Sequence, residues 1–198
     1  MNIKAAFPAL LMAGALAGAP VAYAATDASG AKQPPRMTHY ITYSDQVSAQ
    51  DIAAFKPGDL SLAQAIRAAE KKTGDKAVEA VFKATPDRPH YVVWMMQPKD
   101  VLATWVDAKT GEVTALAPGD PLNRLNPRER AAFMATDAAK MNLADAAALA
   151  QKNSGDRPIA ANLVRFDRTT GYQIAMVHQG ALQTVWVPPN NPALVAAK

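Results

Sequence analysis

The chain has 198 residues, of which 49% are hydrophobic and 19% are charged, and its formal net charge is +4. It contains no cysteine, which excludes disulfides, a lipoprotein thioether, c-type haem attachment and a thiolate metal site. The basic residues are spread along the chain without a run, so the charge indicates neither a nucleic-acid partner nor an anionic membrane surface.

The first 24 residues have the pattern of a cleavable secretory signal. Lys4 precedes an apolar stretch that reaches about Val21, and the small-residue sequence Ala22-Tyr23-Ala24 follows it. We therefore predict cleavage after Ala24 and a periplasmic or secreted location. A retained anchor is the alternative, but prolines and glycines interrupt the apolar stretch, and no later segment is long enough to span a bilayer.

Residues 25–36 are predicted to be a flexible leader, because they lack an apolar period. A first folded module is predicted at residues 37–117. Its opening segment, Met37 to Tyr43, is β-prone and indicates an edge strand. Ser48 and Asp51 have the spacing of a capping box at the start of a short helix.

An amphipathic helix with a cap at each end is predicted in each half of the chain. Ser61 is the N-cap of the first helix and Gly74 ends it. Asn142 and Gly155 occupy the same positions in the second half. Both helices have a stripe of leucine and alanine on one face, which indicates packing against a sheet.

After each helix the hydrophobic period changes from 3.6 to 2, which indicates strands. The gaps between the strands are short and rich in turn residues, so each sheet is predicted to be antiparallel with the helix across one face. The predicted strands cover residues 77–83, 91–96, 102–107, 159–166, 172–177 and 182–187.

The chain also repeats itself at a constant offset of 81. Residues 62–106 align with residues 143–187 without a gap, and 12 of the 45 positions are identical. The pairs Tyr91/Tyr172, Met95/Met176 and Trp105/Trp186 recur in phase, which chance matches between alanines do not explain. The sequence therefore predicts two copies of one module.

The second module is predicted at residues 141–190, and residues 191–198 are predicted to be a C-terminal tail. Residues 118–140 are predicted to link the modules. Pro118-Gly119-Asp120-Pro121 begins this linker, and Asn126-Pro127 opens a connecting helix that reaches about Lys140.

The end of the first module resembles the PepSY family. Its sequence Val106-Asp107-Ala108-Lys109-Thr110-Gly111-Glu112-Val113 is similar to the hairpin that closes PepSY repeats, with Asp107 and Gly111 in the turn. An aspartate can accept hydrogen bonds from its own turn backbone, and a glycine can adopt a positive φ there. The second module departs from this pattern at Pro188-Pro189-Asn190-Asn191-Pro192, so the sequence does not decide whether it has a fourth strand.

The resemblance implies an α+β fold of two repeated modules, each a helix packed on a small antiparallel sheet, similar to cystatin. PepSY modules occur in propeptides of secreted proteases that resemble thermolysin, where they look like inhibitors or folding aids. No protease follows in this chain, so such an action would have to be in trans.

The usual signatures of catalysis are missing from the sequence: HExxH, GxSxG, a P-loop and GxGxxG. The three histidines, His39, His90 and His178, do not have metal-ligand spacing. We therefore predict no enzymatic activity, no catalytic residues, no metal site and no cofactor.

The second strand of the first module is apolar on both sides. Tyr91, Val93 and Met95 recur in the second module, so we expect that side to be core. The other side, Val92, Trp94 and Met96, needs a separate cover, which is either another part of the chain or a partner. These three residues are the candidate partner-binding surface.

Two further expectations concern the second module and the recurring tryptophans. The side of the second module that corresponds to Trp94 carries Gln173, Ala175 and Val177, which indicates a strand buried on one face only. Trp105 and Trp186 recur in phase, which favours a core position for both.

Two functions are compatible with these features. The first is a non-catalytic exported protein that binds or inhibits a peptidase or another envelope protein. The alternative is a small-ligand or metal-binding sensor module of the envelope.

Overall fold

The computed structural model of the chain describes residues 46–85, 88–166 and 169–190. The predicted signal with its cleavage site at Ala24, the leader, the strand from Met37 to Tyr43 and the tail at 191–198 lie outside the described residues.

The described residues form four α-helices and seven β-strands. The helices are α1 (Ala49–Ala54), α2 (Leu62–Thr73), α3 (Pro127–Met134) and α4 (Leu143–Ser154). The strands are β1 (Lys76–Ala84), β2 (Pro89–Met96), β3 (Asp100–Asp107), β4 (Val113–Pro121), β5 (Arg157–Phe166), β6 (Thr169–His178) and β7 (Ala181–Val187).

The helix ends follow the predicted caps. The Ser61 hydroxyl accepts a hydrogen bond from the backbone N–H of Gln64, and the Gln64 side chain accepts one from Ser61 N–H, which completes a capping box. The Asn142 side chain caps α4 with a single bond, which it accepts from the N–H of Asp145. Gly74 and Gly155 end the two helices in the left-handed conformation, as the sequence predicts.

The two shorter helices, α1 and α3, also begin with capping pairs. Ser48 and Asp51 form a capping box at α1, and Asn126 and Glu129 exchange equivalent bonds at α3. The connecting helix α3 ends at Met134 rather than near Lys140. A 3-10 turn over Thr136–Ala138 follows it, and this turn redirects the chain toward α4.

All seven strands belong to one antiparallel sheet, with the order β4-β3-β2-β1-β5-β6-β7. The first half of the chain supplies four strands and the second half supplies three. This arrangement of helices on an antiparallel sheet confirms the α+β prediction.

The two halves of the sheet meet at a short pairing between β1 and β5. Ala80 lies opposite Ala161, and this pair is flanked by Glu79 with Asn162 and Val81 with Ala160. Residues 80 and 161 are related by the offset of 81, so equivalent positions face each other. This is the self-complementary geometry of a two-fold interface, here within one chain.

The stretch Pro118 to Pro121, predicted to begin the linker, is instead the end of β4. Pro118 lies opposite Leu102 and Pro121 opposite Asp100 of β3. A proline cannot donate a backbone hydrogen bond, but β4 is an edge strand of the sheet, where prolines are tolerated.

Helices α2 and α4 pack side by side on one face of the sheet. Their apolar stripes are buried against the alternate residues of β1, β2, β5 and β6 that point to this face. Arg67 of α2 and Asp145 of α4 form an ion pair of 2.9 Å between the helices. Because both side chains are about half exposed, the pair contributes little to stability.

The same contacts recur in the two halves at the offset of 81. The Tyr91 hydroxyl donates to the carbonyl of Leu60, just before α2, and Tyr172 donates to the carbonyl of Met141, just before α4. Two further pairs of contacts recur at this offset. The Thr73 hydroxyl donates to the carbonyl of Ala69, and the Ser154 hydroxyl donates to the carbonyl of Ala150. The Gln97 side chain donates to Asp75, and the His178 ring is hydrogen-bonded to Asp156. The two-module interpretation stays a prediction. Two copies of one module would have equivalent contacts at a constant offset, as these are.

Helices α1 and α3 begin on the opposite side of the sheet. Gln46, just before α1, donates to Glu79 of β1, and Asp137, after α3, forms an ion pair of 2.7 Å with Lys76. After α1 the chain crosses to the side of the sheet on which α2 lies. There the ring of Phe55 lies 5.0 Å from that of Phe82 and 4.2 Å below the guanidinium of Arg157.

The two tyrosine hydroxyls give a matched stability test. Burial of the phenol raises the pKa of both side chains, for Tyr172 to about 12, so both stay neutral donors at ordinary pH. Tyr91→Phe and Tyr172→Phe each leave a carbonyl without its donor. Each should lower the free energy of unfolding by about 1–2 kcal/mol.

Urea unfolding of the purified variants at pH 7 measures these losses. A large loss in one variant with none in the other would contradict the equivalence of the two contacts.

Candidate functional site on the tryptophan face

All three tryptophans of the chain lie on the sheet face that points away from α2 and α4, which we call the tryptophan face. Directly paired residues share a face, and one row crosses five strands from β2 to β7. This row runs through Trp94, Glu79, Asn162, Gln173 and Trp186. Trp105 lies on the same face, because it is paired with Val92 next to Trp94.

The prediction that Trp105 and Trp186 are core residues is wrong. Trp105 is 46% exposed, and its ring lies 5.4 Å from that of His90. Trp186 is half-buried and its ring covers Gly171, where a Cβ atom would come within 2.1 Å of the indole. Both tryptophans lie on the face away from the main helices.

The three residues of the candidate partner-binding surface are on this face as well. Val92, Trp94 and Met96 are each half-buried and pack against the edge of the core. Trp94 and Trp105 lie on neighbouring strands, which extends the predicted surface across β3. The role of these residues in binding stays a prediction.

The middle of the face is polar and buried, a feature that sequence reasoning missed. Asn162 is 4% exposed and Gln173 is 2% exposed, and they lie opposite each other on β5 and β6. Ala175 is fully buried as well, so the prediction that β6 is buried on one face only is wrong. Helix α3, which packs against β5, supplies part of the cover.

Sequence signals for this polar row existed but were weak. Glu79 interrupts the apolar run from Ala77 to Phe82, and Asn162 interrupts the run from Ile159 to Val164. A single polar residue in a central strand is a candidate for a buried, hydrogen-bonded position.

Glu79 is the most strongly perturbed carboxyl group on this face. Burial raises its pKa, a hydrogen bond of 2.9 Å from the Gln46 side chain opposes the rise, and the negative charge of Glu129 adds to it, so that the pKa of Glu79 is about 7. Protonated and ionised forms of Glu79 therefore exchange near neutral pH.

Asp51 has the opposite behaviour near the other end of β1. Burial disfavours its charge, but hydrogen bonds from the backbone of Ala84 and from Ser48, together with the nearby Lys83 ammonium, hold its pKa below the usual value. The bond from Ala84 N–H, 2.7 Å long, attaches α1 to the end of β1. This contact fixes α1 beside the tryptophan face.

The turn after β3 has the geometry that the family resemblance suggests. The Asp107 carboxylate accepts bonds from the N–H groups of Thr110 at 2.8 Å and Lys109 at 2.9 Å, and these bonds hold its pKa below the usual value against a small effect of burial. Gly111 has a φ of +74°, which residues with a side chain rarely adopt. Asp107 and Gly111 thus have structural roles in the hairpin.

Among the described residues, no cluster of three or more histidine, cysteine, aspartate or glutamate side chains could hold a metal ion. In the same part of the chain, none of the helices combines the length and the apolar character needed to cross a bilayer.

Comparison with known families finds a match to one family within the first half of the chain. The sequence profile of the PepSY family, described as "Peptidase propeptide and YPEB domain", matches residues 59–116. This segment contains α2, β1, β2, β3 and the start of β4. The match does not extend to the second half, where a PepSY-like module stays a prediction.

No curated protein matches the chain. Among solved structures, the chain is similar to a protein from Clostridium difficile 630 that is described as a candidate lipoprotein. The two are 15% identical, the alignment covers 74% of this chain and 96% of that one, and the TM-score is 0.43.

Glu79 gives a test of the buried polar row through pH. The ordinary pKa of a glutamate carboxyl, which applies to the unfolded chain, is 4.5, and burial raises the pKa of Glu79 to about 7 in the folded protein, so folding favours the proton. The free energy of unfolding should therefore fall as pH rises from about 4.5 to about 7, by an amount of order 3 kcal/mol. Glu79→Gln should remove this decline and stabilise the protein above pH 7.

Urea unfolding between pH 4.5 and pH 8 compares Glu79→Gln with Glu112→Gln, which alters an exposed glutamate in the turn before β4. If Glu79→Gln and the unmodified protein have the same pH dependence, Glu79 is not buried in the folded protein.

Proposed function

We propose that this protein is an exported, non-catalytic binding protein, and that its first module binds a peptidase or another envelope protein through the tryptophan face. The observation that carries the proposal is the location of all three tryptophans on one sheet face, away from the helices that cover the core. Large aromatic side chains supply much of the binding energy at protein interfaces.

The region around Trp94 and Trp105 is better suited to a partner than the middle of the face. Trp105 is 46% exposed, whereas Asn162 and Gln173 in the middle are already buried. Val92, Trp94 and Met96 are half-buried and give Trp105 an apolar surrounding. Aromatic residues and methionine with few charges are typical of the centre of an interface.

The export of the protein is part of the proposal and is supported by two features of the sequence. Residues 1–24 have the pattern of a secretory signal. The chain has no cysteine, so no thiol has to be kept reduced and none can carry a lipid. The PepSY profile at residues 59–116 carries the words "peptidase propeptide" in its description. This description makes a secreted peptidase the first partner to test.

The test measures inhibition of a secreted metallopeptidase of the thermolysin type. The purified protein is titrated into the peptidase, and hydrolysis of a fluorogenic peptide is followed. We expect inhibition by the unmodified protein, and a loss of affinity of about tenfold or more for Trp105→Ala, because an exposed aromatic anchor is removed. Trp94→Ala should weaken binding as well.

Met134→Ala is the matched control, since Met134 is a large apolar residue that is 63% exposed at the end of α3 and lies outside the patch around Trp105. It should inhibit as the unmodified protein does. A pull-down from envelope extract with the same variants covers partners other than this peptidase. Recovery of the same proteins by Trp94→Ala and Trp105→Ala as by the unmodified chain would contradict the proposal.

A further inference from the structure

The two edges of the seven-stranded sheet differ in how well they are protected against pairing with another strand. An exposed edge presents unpaired backbone N–H and C=O groups, and natural proteins blunt such edges with prolines, charges or bulges. The edges here are β4 at one end and β7 at the other, among the residues that the structure describes.

The β4 edge is blunted. Its sequence, Val-Thr-Ala-Leu-Ala-Pro-Gly-Asp-Pro, contains Pro118 and Pro121, neither of which has a backbone N–H to donate. Its pairing with β3 also changes register at two places, between Asp100 and Leu102 and between Trp105 and Val106. Both features oppose the addition of a further strand.

The β7 edge has none of these features. Its sequence, Ala-Leu-Gln-Thr-Val-Trp-Val, has no charged residue, no proline and no glycine. Its seven residues pair with β6 in one continuous register from His178/Ala181 to Tyr172/Val187. Gln183 and Thr184, in the middle of the strand, are exposed.

Comparison of the two halves at the offset of 81 shows which backbone N–H and C=O groups of β7 are unpaired in the described chain. In the first half, β4 pairs with β3 between residues 100 and 106, and the equivalent range of β7 at the offset of 81 is 181–187. The turn that returns β4 along β3 requires Gly111 at a φ of +74°. Pro192 stands at the equivalent position of the sequence, and a proline ring fixes φ near −65°.

We propose that β7 is a self-association site, at which a second copy of this chain adds its own β7 in antiparallel orientation across a two-fold axis. The chain already contains this type of contact, since β1 and β5 join the two halves edge to edge around Ala80 and Ala161. A second β7 is already extended in the folded protein, so pairing two copies does not require ordering a flexible peptide.

The difference between the edges also decides the type of assembly. Pairing of β7 with β4 of the next molecule would continue indefinitely and form a filament, but the prolines of β4 oppose it. Pairing of β7 with β7 uses the unguarded edge of each molecule and closes after two copies. The expected assembly is therefore a dimer with one continuous sheet of fourteen strands, twice the seven described.

This site is separate from the proposed partner surface. Trp94 and Trp105 are on β2 and β3, whereas β7 is the last strand on the other side of the sheet. Failure of dimerisation would leave the partner proposal unaffected, and failure of partner binding would leave the dimer unaffected.

Light scattering coupled to size exclusion, over a range of protein concentrations, tests the proposal with the full chain. The unmodified protein should approach twice the monomer mass, which is 21.0 kDa for the whole sequence. Thr184→Lys places like charges near each other across the two-fold axis and should weaken the dimer by about tenfold. Mixing Thr184→Lys with Thr184→Glu should restore dimers, because opposite charges then meet.

Thr114→Lys is the matched control, since it makes the same substitution at an exposed threonine of the β4 edge. It should leave the dimer unchanged. A monomer at every concentration would overturn the proposal, as would an open-ended polymer. A dimer that Thr184→Lys does not weaken would also overturn it, because the contact would then lie elsewhere.

Discussion

The structure depends on the pairing of β1 with β5. Among the residues that the structure describes, three residue pairs centred on Ala80 and Ala161 connect the two halves of the sheet. Ala80 and Ala161, which are 81 residues apart in the sequence, lie opposite each other at this junction. Helices α2 and α4 lie in one layer on one face of the sheet, and the tryptophans lie on the opposite face. Small alanine side chains at the centre let the two helices approach each other above the junction.

The same junction divides the tryptophan face into regions with different properties. Above β1 and β5 the face is polar and covered, with Glu79, Asn162 and Gln173 beside α3 and the segment that precedes α1. To one side lies the region around Trp94 and Trp105, and to the other Trp186 covers Gly171. A partner that binds the first region would not displace the helices, because the partly exposed apolar surface is lateral to them.

The sequence predicts the local structure well, because the signals are local. The four helix starts, at Ser48, Ser61, Asn126 and Asn142, are set by side chains that accept a bond from the backbone N–H three residues further on. Each predicted strand is found within a few residues of its predicted position, since the period of two is present in the strand itself. The sequence also places Tyr91 and Tyr172 in the core, and the structure confirms this.

Features that depend on pairing between distant segments are harder to predict. No local pattern indicates that β1 lies beside β5, so the continuous sheet could not be predicted. The polar residues Glu79 and Asn162 give weak local signals, but their alignment in one row depends on this pairing. The prediction for Trp105 and Trp186 was wrong because recurrence at a fixed offset shows that two positions are equivalent, but not which face they occupy. Pro118 and Pro121 resemble a linker because prolines are rare in strands, and only the position of β4 at an edge explains them.

A disulfide across the junction tests the central feature of the structure most directly. The chain has no cysteine, so in the double variant Ala80→Cys with Ala161→Cys any intramolecular disulfide must join these two positions. Directly opposed residues of antiparallel strands have Cβ atoms about 4.5–5.5 Å apart, within reach of a disulfide after a small adjustment. Both positions are buried, so the double variant is refolded from urea under oxidising conditions. We predict that its disulfide forms, seen by mass spectrometry of the peptides, and that Ala80→Cys with Ala175→Cys forms none, because the second cysteine is then two strands away on β6. If each single cysteine variant folds but the double variant Ala80→Cys with Ala161→Cys forms no disulfide, the pairing of β1 with β5 is contradicted.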